Sequence, residues 1–213
     1  MTARRRYQLL CPIARALDVV GDRWALLILR DLHAGPARFQ ELQTGLGIAT
    51  NLLSTRLMEL VDSQLIERAD GEGYRLTAAG RDTDRILWEL ARFGAQVDRD
   101  ANPREPGNLR TVALPLRILL ESVADRPELV ARLIIDDAEL TIATTSADVH
   151  VEWGRTTGRA DITVSTDYEA FLDVAEGMMN LDDFVAEHLD ITDGAEHTAT
   201  FLALFERALT AVL

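Results

Sequence analysis

A chain of 213 residues, 47% hydrophobic and 27% charged, has the composition of a soluble globular protein with one large or two smaller domains. No segment approaches the roughly eighteen apolar residues of a membrane span, and the N-terminus lacks the apolar stretch of a secretory signal. The single cysteine, Cys11, cannot form a disulfide within the chain, so we expect a cytoplasmic protein.

The net charge of −13 is distributed unevenly along the chain. Residues 1–100 contain fourteen arginines and fourteen acidic residues, whereas residues 101–213 contain eight arginines and twenty-one acidic residues. The second half should therefore repel DNA, while the first half is neutral and its arginines can cluster on one face. Together with a segment that contains proline and glycine, this division predicts domains at 1–100 and 110–213 with a linker at 101–109.

Apolar residues at helical spacing predict four helices at the start of the chain, followed by a β-hairpin and a long helix. The predicted helices cover residues 13–20, 24–32, 39–46 and 50–64. Residues 65–76 are typical of a strand, a glycine-containing turn and a second strand. Thr77 is a good N-cap for the long helix, which carries Ile86, Leu87, Leu90 and Phe93. Elements in this order indicate a winged helix-turn-helix domain.

The fourth helix is the one that such a domain lays in the DNA major groove, with its early residues against base edges. Its buried positions are apolar, whereas Thr50, Asn51, Ser54 and Thr55 are small and polar, and Arg56 can reach a phosphate. The alternative is that these side chains form the solvated face of an amphipathic helix. The ordered set of helices followed by a hairpin favours the DNA-binding interpretation.

Other arginines are predicted to contact the DNA backbone. Arg38 lies at the start of the third helix, where backbone N–H groups favour an anion. Arg68 and Arg75 flank the tip of the hairpin, which can meet the neighbouring phosphates or the minor groove. Arg4, Arg5 and Arg6 form either a cationic arm or a charged, disordered tail.

The second half predicts an α+β domain with a four- or five-stranded antiparallel sheet. The pattern predicts helices at 114–123, 167–176, 181–188 and 197–213, the second of them capped by Asp167. Alternating hydrophobic and polar residues predict strands at 129–135, 139–144, 149–153 and 160–165.

Four segments of the first half resemble the HxlR family of small winged-helix transcription regulators, which is similar to the MarR group. They are CPIARALDVVGDRW at 11–24, RFQEL at 38–42, LMELVDSQLI at 57–66 and YRLTAAG at 74–80. The resemblance covers about residues 7–100. It implies binding to double-stranded DNA by a homodimer that is joined through the first helix and the long helix beginning near Thr77. The wing between Arg68 and Tyr74 is shorter than is usual in that family.

In some HxlR regulators the cysteine at the position of Cys11 is a redox sensor that forms a disulfide across the dimer. Cys11 precedes Pro12 and a helix start, which favours a thiolate, and Arg15 lies one turn further on. The alternative is a small apolar residue packed at the dimer interface. The four histidines lack metal-ligand spacing and no catalytic set is evident, so we expect no metal, no cofactor and no enzyme activity.

Parts of the second half resemble the sterol carrier protein 2 family, at residues 160–172, 176–179, 189–194 and 201–205. The resemblance implies a sheet covered by helices around an apolar tunnel for fatty acyl or sterol-like ligands. Adjacent methionines suit an adaptable apolar pocket. The candidate tunnel residues, which can equally fill an ordinary core, are Leu140, Ile142, Val151, Trp153, Phe171, Met178, Met179 and Phe184.

These patterns together predict a dimeric transcription regulator, either a repressor or an activator, that responds to a hydrophobic small molecule or lipid. One alternative is a redox-sensing regulator that acts through Cys11. The other is a lipid-binding carrier in which the winged helix serves only for dimerisation.

Overall fold

The computed structural model describes residues 7–69, 71, 73–96, 109–154, 158–175 and 177–210. The chain divides into two compact units, one up to Leu90 and one from Ala91. The division falls about ten residues before the predicted linker. Apart from Leu109, that linker lies outside the described residues.

The winged helix-turn-helix order predicted for the first half is confirmed. Its described helices are α1 (Pro12–Val20), α2 (Arg23–Leu32), α3 (Phe39–Leu46), α4 (Thr50–Asp62), α5 (Ala78–Arg81) and α6 (Asp84–Ala95). Its strands are β1 (Ala37–Arg38), β2 (Ile66–Ala69) and β3 (Gly73–Leu76), which form an antiparallel sheet in the order β1-β3-β2. The two-residue strand β1 was not predicted, because two residues are too short to show an alternating pattern.

Local sequence explains how α3 and α4 are joined. Gly47 takes a left-handed conformation with φ of 61°, which glycine adopts without steric cost, and ends α3. Two residues separate Gly47 from α4, whose buried face carries Leu53, Leu57 and Leu60 at helical spacing. These leucines are at most 1% exposed, and α4 packs on α2. The core thus fixes which face of α4 points outward.

The long helix predicted from Thr77 is in fact two helices, α5 and α6. Thr77 does cap α5, since its Oγ1 accepts a hydrogen bond from Gly80 N at 3.1 Å. Thr83 lies in the break, where its hydroxyl donates to Gly80 O at 2.6 Å and lies 3.1 Å from His33 Nε2. Because Gly80 packs directly on the carbonyl of Leu65, α5 is held against the start of the hairpin and α6 begins separately.

The second half forms the predicted α+β unit. Its helices are α7 (Ala113–Glu121), α8 (Tyr168–Ala175), α9 (Leu181–Glu187) and α10 (Thr198–Thr210). Its strands are β4 (Leu129–Ile135), β5 (Ala138–Thr144), β6 (Val149–Trp153), β7 (Ile162–Thr166) and β8 (Asp190–Asp193). The strand β8 was missed because Ile191 is its only apolar residue.

The five strands lie in the order β6-β5-β4-β7-β8. The central pair, β4 and β7, is parallel, with Leu133 opposite Val164, so the predicted fully antiparallel sheet is wrong at this pair. Asp161 explains the direction of β7, because its N–H donates to Val130 O at 2.7 Å and its carboxylate accepts from Val130 N at 2.8 Å. These bonds place the start of β7 beside the start of β4, and a period-two pattern carries no information about strand direction.

Candidate functional site

The exposed face of α4 carries the residues predicted to read DNA. Thr50, Asn51, Ser54 and Thr55 are all exposed, on the side of the helix opposite its buried leucines. Met58 lies one turn beyond Ser54 on the same face and is 55% exposed. It was not predicted as a site residue, although its spacing of four from Ser54 could have identified it.

Two of the hydroxyl groups on this face have partners within the protein. Gln43 Nε2 donates to Thr50 Oγ1 at 2.7 Å, and Thr55 Oγ1 donates to the carbonyl oxygen of Asn51 at 2.9 Å. Because the hydroxyl of Thr55 is turned to the helix backbone, the group it offers to solvent is its methyl. Asn51 and Ser54 are the other exposed polar side chains of the first two turns.

Arg56 connects α4 to the start of α2. Its Nη2 lies 2.9 Å from Asp22 Oδ2 and its Nη1 lies 2.6 Å from Glu59 Oε2. Burial lowers the pKa of Arg56, but the hydrogen bond to Glu59 and the charge of Asp22 outweigh it, so the pKa lies above its ordinary value. Asp22 also caps α2 by accepting from Trp24 N at 3.0 Å. The guanidinium is therefore held inside the domain, which revises the predicted phosphate contact of Arg56.

Arg38 is exposed at the N-cap of α3. Its backbone N–H donates to Glu41 Oε2 at 2.7 Å, so a carboxylate of the protein already occupies the position at this helix start that was predicted for an anion. Any phosphate contact at this position therefore depends on the side chain of Arg38.

The two arginines of the hairpin lie on opposite faces of it. Arg68 pairs with Tyr74 across β2 and β3, and its guanidinium carbon lies 5.3 Å from the centre of the Tyr74 ring. Arg75 pairs with Glu67, with 2.8 Å between Arg75 Nε and Glu67 Oε1, and both side chains are about half exposed. The structure does not bring these arginines together on one side of the wing.

The start of the chain and α6 expose apolar side chains. Cys11 is exposed at the N-cap of α1. Helical spacing places exposed apolar side chains along one stripe of α1, Ile13 and Leu17, and along one stripe of α6, Ile86, Leu90 and Phe93. Leu10, two residues before α1, is also exposed. These helices are the ones that the HxlR resemblance assigns to the dimer interface. Arg4, Arg5 and Arg6 lie outside the described residues.

The second unit contains an apolar cavity of about 50 Å³. It is lined by β4 and by all four helices of the unit, through Leu116, Leu119, Leu133, Phe171, Val174, Leu181, Phe184, Leu189, Phe201, Leu202, Phe205, Ala208 and Leu209. Of the eight predicted tunnel residues, Phe171 and Phe184 are in this lining. The contribution of α10 was missed, although Phe201, Phe205 and Ala208 follow helical spacing.

The other predicted tunnel residues lie elsewhere in the unit. Leu140, Ile142 and Val151 are at most 3% exposed, on the side of the sheet that also carries Leu133. The guanidinium of the buried Arg110 stacks over the ring of Trp153 at 5.7 Å. The two methionines lie in the turn after α8, where Met178 is 72% exposed and Met179 is half-buried.

One polar contact joins α8 and α9, two of the helices that line the cavity. His188 Nδ1, at the end of α9, lies 3.0 Å from Asp167 Oδ2, just before α8. Asp167 also caps α8, as predicted, by accepting from Ala170 N at 2.8 Å. This backbone hydrogen bond and the contact with His188 hold the pKa of Asp167 below its ordinary value, although burial acts in the opposite direction.

Within the described ranges, no group of three or more His, Cys, Asp or Glu side chains is placed to hold a metal ion. No helix in those ranges is long and apolar enough to cross a membrane.

A weak structural likeness exists between this chain and a ubiquinone synthesis protein, UbiJ-SCP2. The two are 14% identical, with a TM-score of 0.31, over 60% of this chain and 96% of that chain.

Sequence comparison identifies the first unit. The family model for the HxlR-like helix-turn-helix matches residues 19–101. An uncharacterised HTH-type transcriptional regulator of Mycobacterium bovis is 42% identical over 88 residues, which cover 38% of this chain and 56% of that relative. An uncharacterised HTH-type transcriptional regulator of Synechocystis is 31% identical over 93 residues, which cover 40% of this chain and 69% of the relative. The chain thus spans little more than half of its mycobacterial relative, but most of the cyanobacterial one, and it belongs to the HxlR-like helix-turn-helix family.

Proposed function

We propose that this protein is a DNA-binding transcription regulator that places α4 in the major groove. The observation that carries the proposal is the outward face of α4, where small polar side chains occupy the first two turns while the opposite face is buried in leucines. A helix-turn-helix reads base edges with the early residues of its second helix. Asn51 and Ser54 occupy those positions here.

Arginines outside α4 supply the contacts with phosphates. Arg38 lies at the start of the neighbouring helix, and Arg68 and Arg75 lie on the wing, all with exposed side chains. Because the first hundred residues carry no net charge, affinity for DNA depends on where these arginines sit and not on a general attraction. Arg68 and Arg75 lie on opposite faces of the wing, so one of them meets the backbone more directly than the other.

We further propose that the active species is a homodimer, joined through the apolar stripes of α1 and α6. The stripes expose Ile13, at 71%, and Phe93, at 66%, which a second copy would cover. A two-fold dimer presents its two reading helices to half-sites about one helical turn, or a multiple of it, apart. Such a protein recognises a palindromic operator.

Binding to the DNA upstream of the protein's own gene tests the proposal. We expect fluorescence anisotropy to show binding that weakens as salt rises from about 50 to about 200 mM, because phosphate contacts release counterions. The stoichiometry should be two chains per duplex. Absence of binding, or an affinity that does not change with salt concentration, would contradict a DNA-binding function. The lipid-binding carrier would then be the better interpretation.

The second unit is proposed to bind a hydrophobic small molecule or lipid that changes DNA affinity. Support comes from the cavity, in which every lining side chain is apolar. Its volume of about 50 Å³ is far below the roughly 300 Å³ of a typical ligand site, so binding requires the cavity to enlarge. Native mass spectrometry of the purified protein should reveal a bound apolar molecule, and a ligand-free protein whose DNA affinity no lipid alters would contradict this.

A thiol switch at Cys11 is a second candidate, favoured by the exposure of this cysteine beside the apolar stripe of α1. If two copies meet through α1, their Cys11 thiols can be oxidised to a disulfide by diamide or a peroxide. The expected result is an oxidant-dependent change in DNA affinity that Cys11→Ser abolishes. A response that survives this substitution excludes Cys11 as the sensor.

A further inference from the structure

We infer that α4 recognises A·T base pairs in the centre of each half-site and does not read guanine. This inference rests on the proposed DNA-binding function and adds the class of sequence that the helix selects. It follows from the chemistry of three sets of groups, namely the cation on α4, the exposed polar side chains and the exposed methyl groups.

The only cation on α4 is not available to guanine. Guanine presents two acceptors in the major groove, O6 and N7, and the commonest specific contact to them is a bidentate arginine or lysine. Arg56 is the one arginine of α4, the chain has no lysine, and both terminal nitrogens of Arg56 are engaged by Asp22 and Glu59. Its side chain is 23% exposed and its Nε is buried. Reading guanine with Arg56 would break the ion pairs with Asp22 and Glu59.

The exposed polar groups fit adenine. Asn51 is the one amide on the exposed face of α4, and an asparagine side chain can bind adenine with two hydrogen bonds, to N6 and N7. Ser54 lies on the same face one turn on, and its hydroxyl can donate or accept. The amide of Asn51 offers a donor beside an acceptor, which matches N7 and N6 of adenine, whereas guanine presents two adjacent acceptors.

The exposed apolar groups of the same face fit thymine. Thr55 presents its methyl because its hydroxyl bonds to the helix backbone, and Met58 exposes 55% of its surface. In the major groove thymine alone displays a methyl group, and apolar side chains recognise it by contact. Spacings of four and three residues place Asn51, Thr55 and Met58 next to one another on the helix. The amide that can bind adenine therefore lies beside the methyl groups that can contact thymine.

The last turn of α4 does not alter this assignment. Asp62, the final residue of the helix, is an exposed acid that can accept from the amino group of cytosine. It lies eleven residues beyond Asn51, or about 16 Å along the axis, whereas a reading helix meets base edges with its N-terminal residues. Asp62 therefore lies too far along α4 to add a contact with cytosine at the positions that Asn51 reads.

Selection of duplexes from a fully randomised pool by the full-length protein tests this inference. We expect A·T pairs at two or more adjacent positions in each half-site. Asn51→Ala should then lower the preference at one of these positions about tenfold or more, while the other positions keep theirs. Met58→Ala should produce a smaller loss at a neighbouring thymine.

Arg38→Gln is the matched control, because a phosphate contact weakens binding to all sequences alike and does not change the selected bases. Enrichment of guanine at the central half-site positions, or an unchanged preference in Asn51→Ala, would overturn the inference while leaving the DNA-binding function intact. A pool with no enrichment of any sequence would overturn both.

Discussion

The two units of this protein place their candidate functional groups in opposite ways. In the first unit the groups lie outside, on the exposed face of α4, and the neutral charge of residues 1–100 permits approach to DNA. In the second unit the groups lie inside, around an apolar cavity, and the acidic excess of residues 101–213 disfavours DNA. The first arrangement fits the proposed reading of DNA, and the second fits the proposed binding of a small apolar molecule.

In the first unit, the exposure of a side chain indicates whether it serves binding or packing. In the second unit it does not, because side chains that would bind a ligand and side chains that fill the core are both buried. An exposed Asn51 or Met58 contributes little to the core, so its presence on α4 is informative. A buried Phe201 stabilises the second unit whether or not a ligand binds. The following substitutions test whether the two units are as separate as their chemistry suggests, beginning with the largest expected effect.

Two glycines allow each unit to be destabilised by itself. A Cβ at Gly80 would lie 1.9 Å from Leu65 O in the first unit, and one at Gly194 would lie 1.9 Å from Asp161 O in the second. Each change to alanine should cost more than about 3 kcal/mol, because a backbone carbonyl must move. Hydrogen exchange measured by mass spectrometry should show lost protection only in the unit that carries the substitution.

Gly94→Ala is the control for both variants, since no heavy atom lies within 4 Å of its added Cβ. It should leave protection unchanged in both units. If Gly80→Ala or Gly194→Ala lowered protection in both units, the two units would unfold together. That result would contradict their treatment as separate units.

Phe201→Ala should destabilise the second unit by about 3 kcal/mol, because the ring is 3% exposed, lines the cavity and lies 4.5 Å from the ring of Phe205. Thermal unfolding reports this loss, with the exposed neighbour Thr200→Ala as control. DNA affinity of the ligand-free protein should stay unchanged at temperatures where the variant is folded. A parallel loss of DNA affinity would show that packing in the second unit supports the reading helix.

Arg56→Gln should lower the free energy of unfolding of the first unit by about 2 kcal/mol, since it leaves Asp22 and Glu59 together without their cation. Arg75→Gln is the contrasting variant. Its ion pair with Glu67 is about half exposed, so the loss should be below about 1 kcal/mol. Urea titration of both variants measures the difference. Unchanged stability in Arg56→Gln, with weaker binding to all DNA sequences, would restore Arg56 as a phosphate contact.

The smallest expected effect is an acid dependence of the second unit. Because the folded pKa of Asp167 lies below its unfolded value, its stabilising contribution is present above about pH 4 and declines as pH falls through the folded pKa. Asp167→Asn keeps an N-cap for α8 but removes the titrating group. Below about pH 4, the free energy of unfolding of the second unit should therefore change less with pH in this variant than in the unchanged protein. An identical acid dependence in the two proteins would rule out Asp167 as its source.

Patterns of neighbouring residues predicted the helices of the first unit well, together with one helix cap in each unit. The apolar spacing located α1 to α4 within two residues at each end, and Thr77 and Asp167 proved to be helix caps. The outward face of α4 followed from the same spacing, because the buried leucines leave only one side for the polar residues. These features depend on residues that lie within two helical turns of one another in the sequence.

Contacts between distant residues explain what the sequence did not reveal. The break between α5 and α6 depends on Gly80 packing on the Leu65 carbonyl, and the role of Arg56 depends on Asp22, thirty-four residues earlier. The parallel pairing of β4 with β7 likewise depends on Asp161 meeting Val130. In the second unit, α7 and α10 complete a cavity for which the predicted residues came mainly from the sheet and the helix that follows it. Hydrophobic pattern alone does not distinguish a cavity wall from a filled core.

The central claim is that the exposed face of α4 reads DNA, and one pair of binding constants tests it most directly. Full-length protein with both Asn51→Ala and Ser54→Ala should be compared with the unchanged protein on a selected duplex and on an unrelated duplex of equal length. The account predicts that affinity for the selected duplex falls by at least about tenfold while affinity for the unrelated duplex stays the same. Equal affinities of the two proteins for the selected duplex would contradict it.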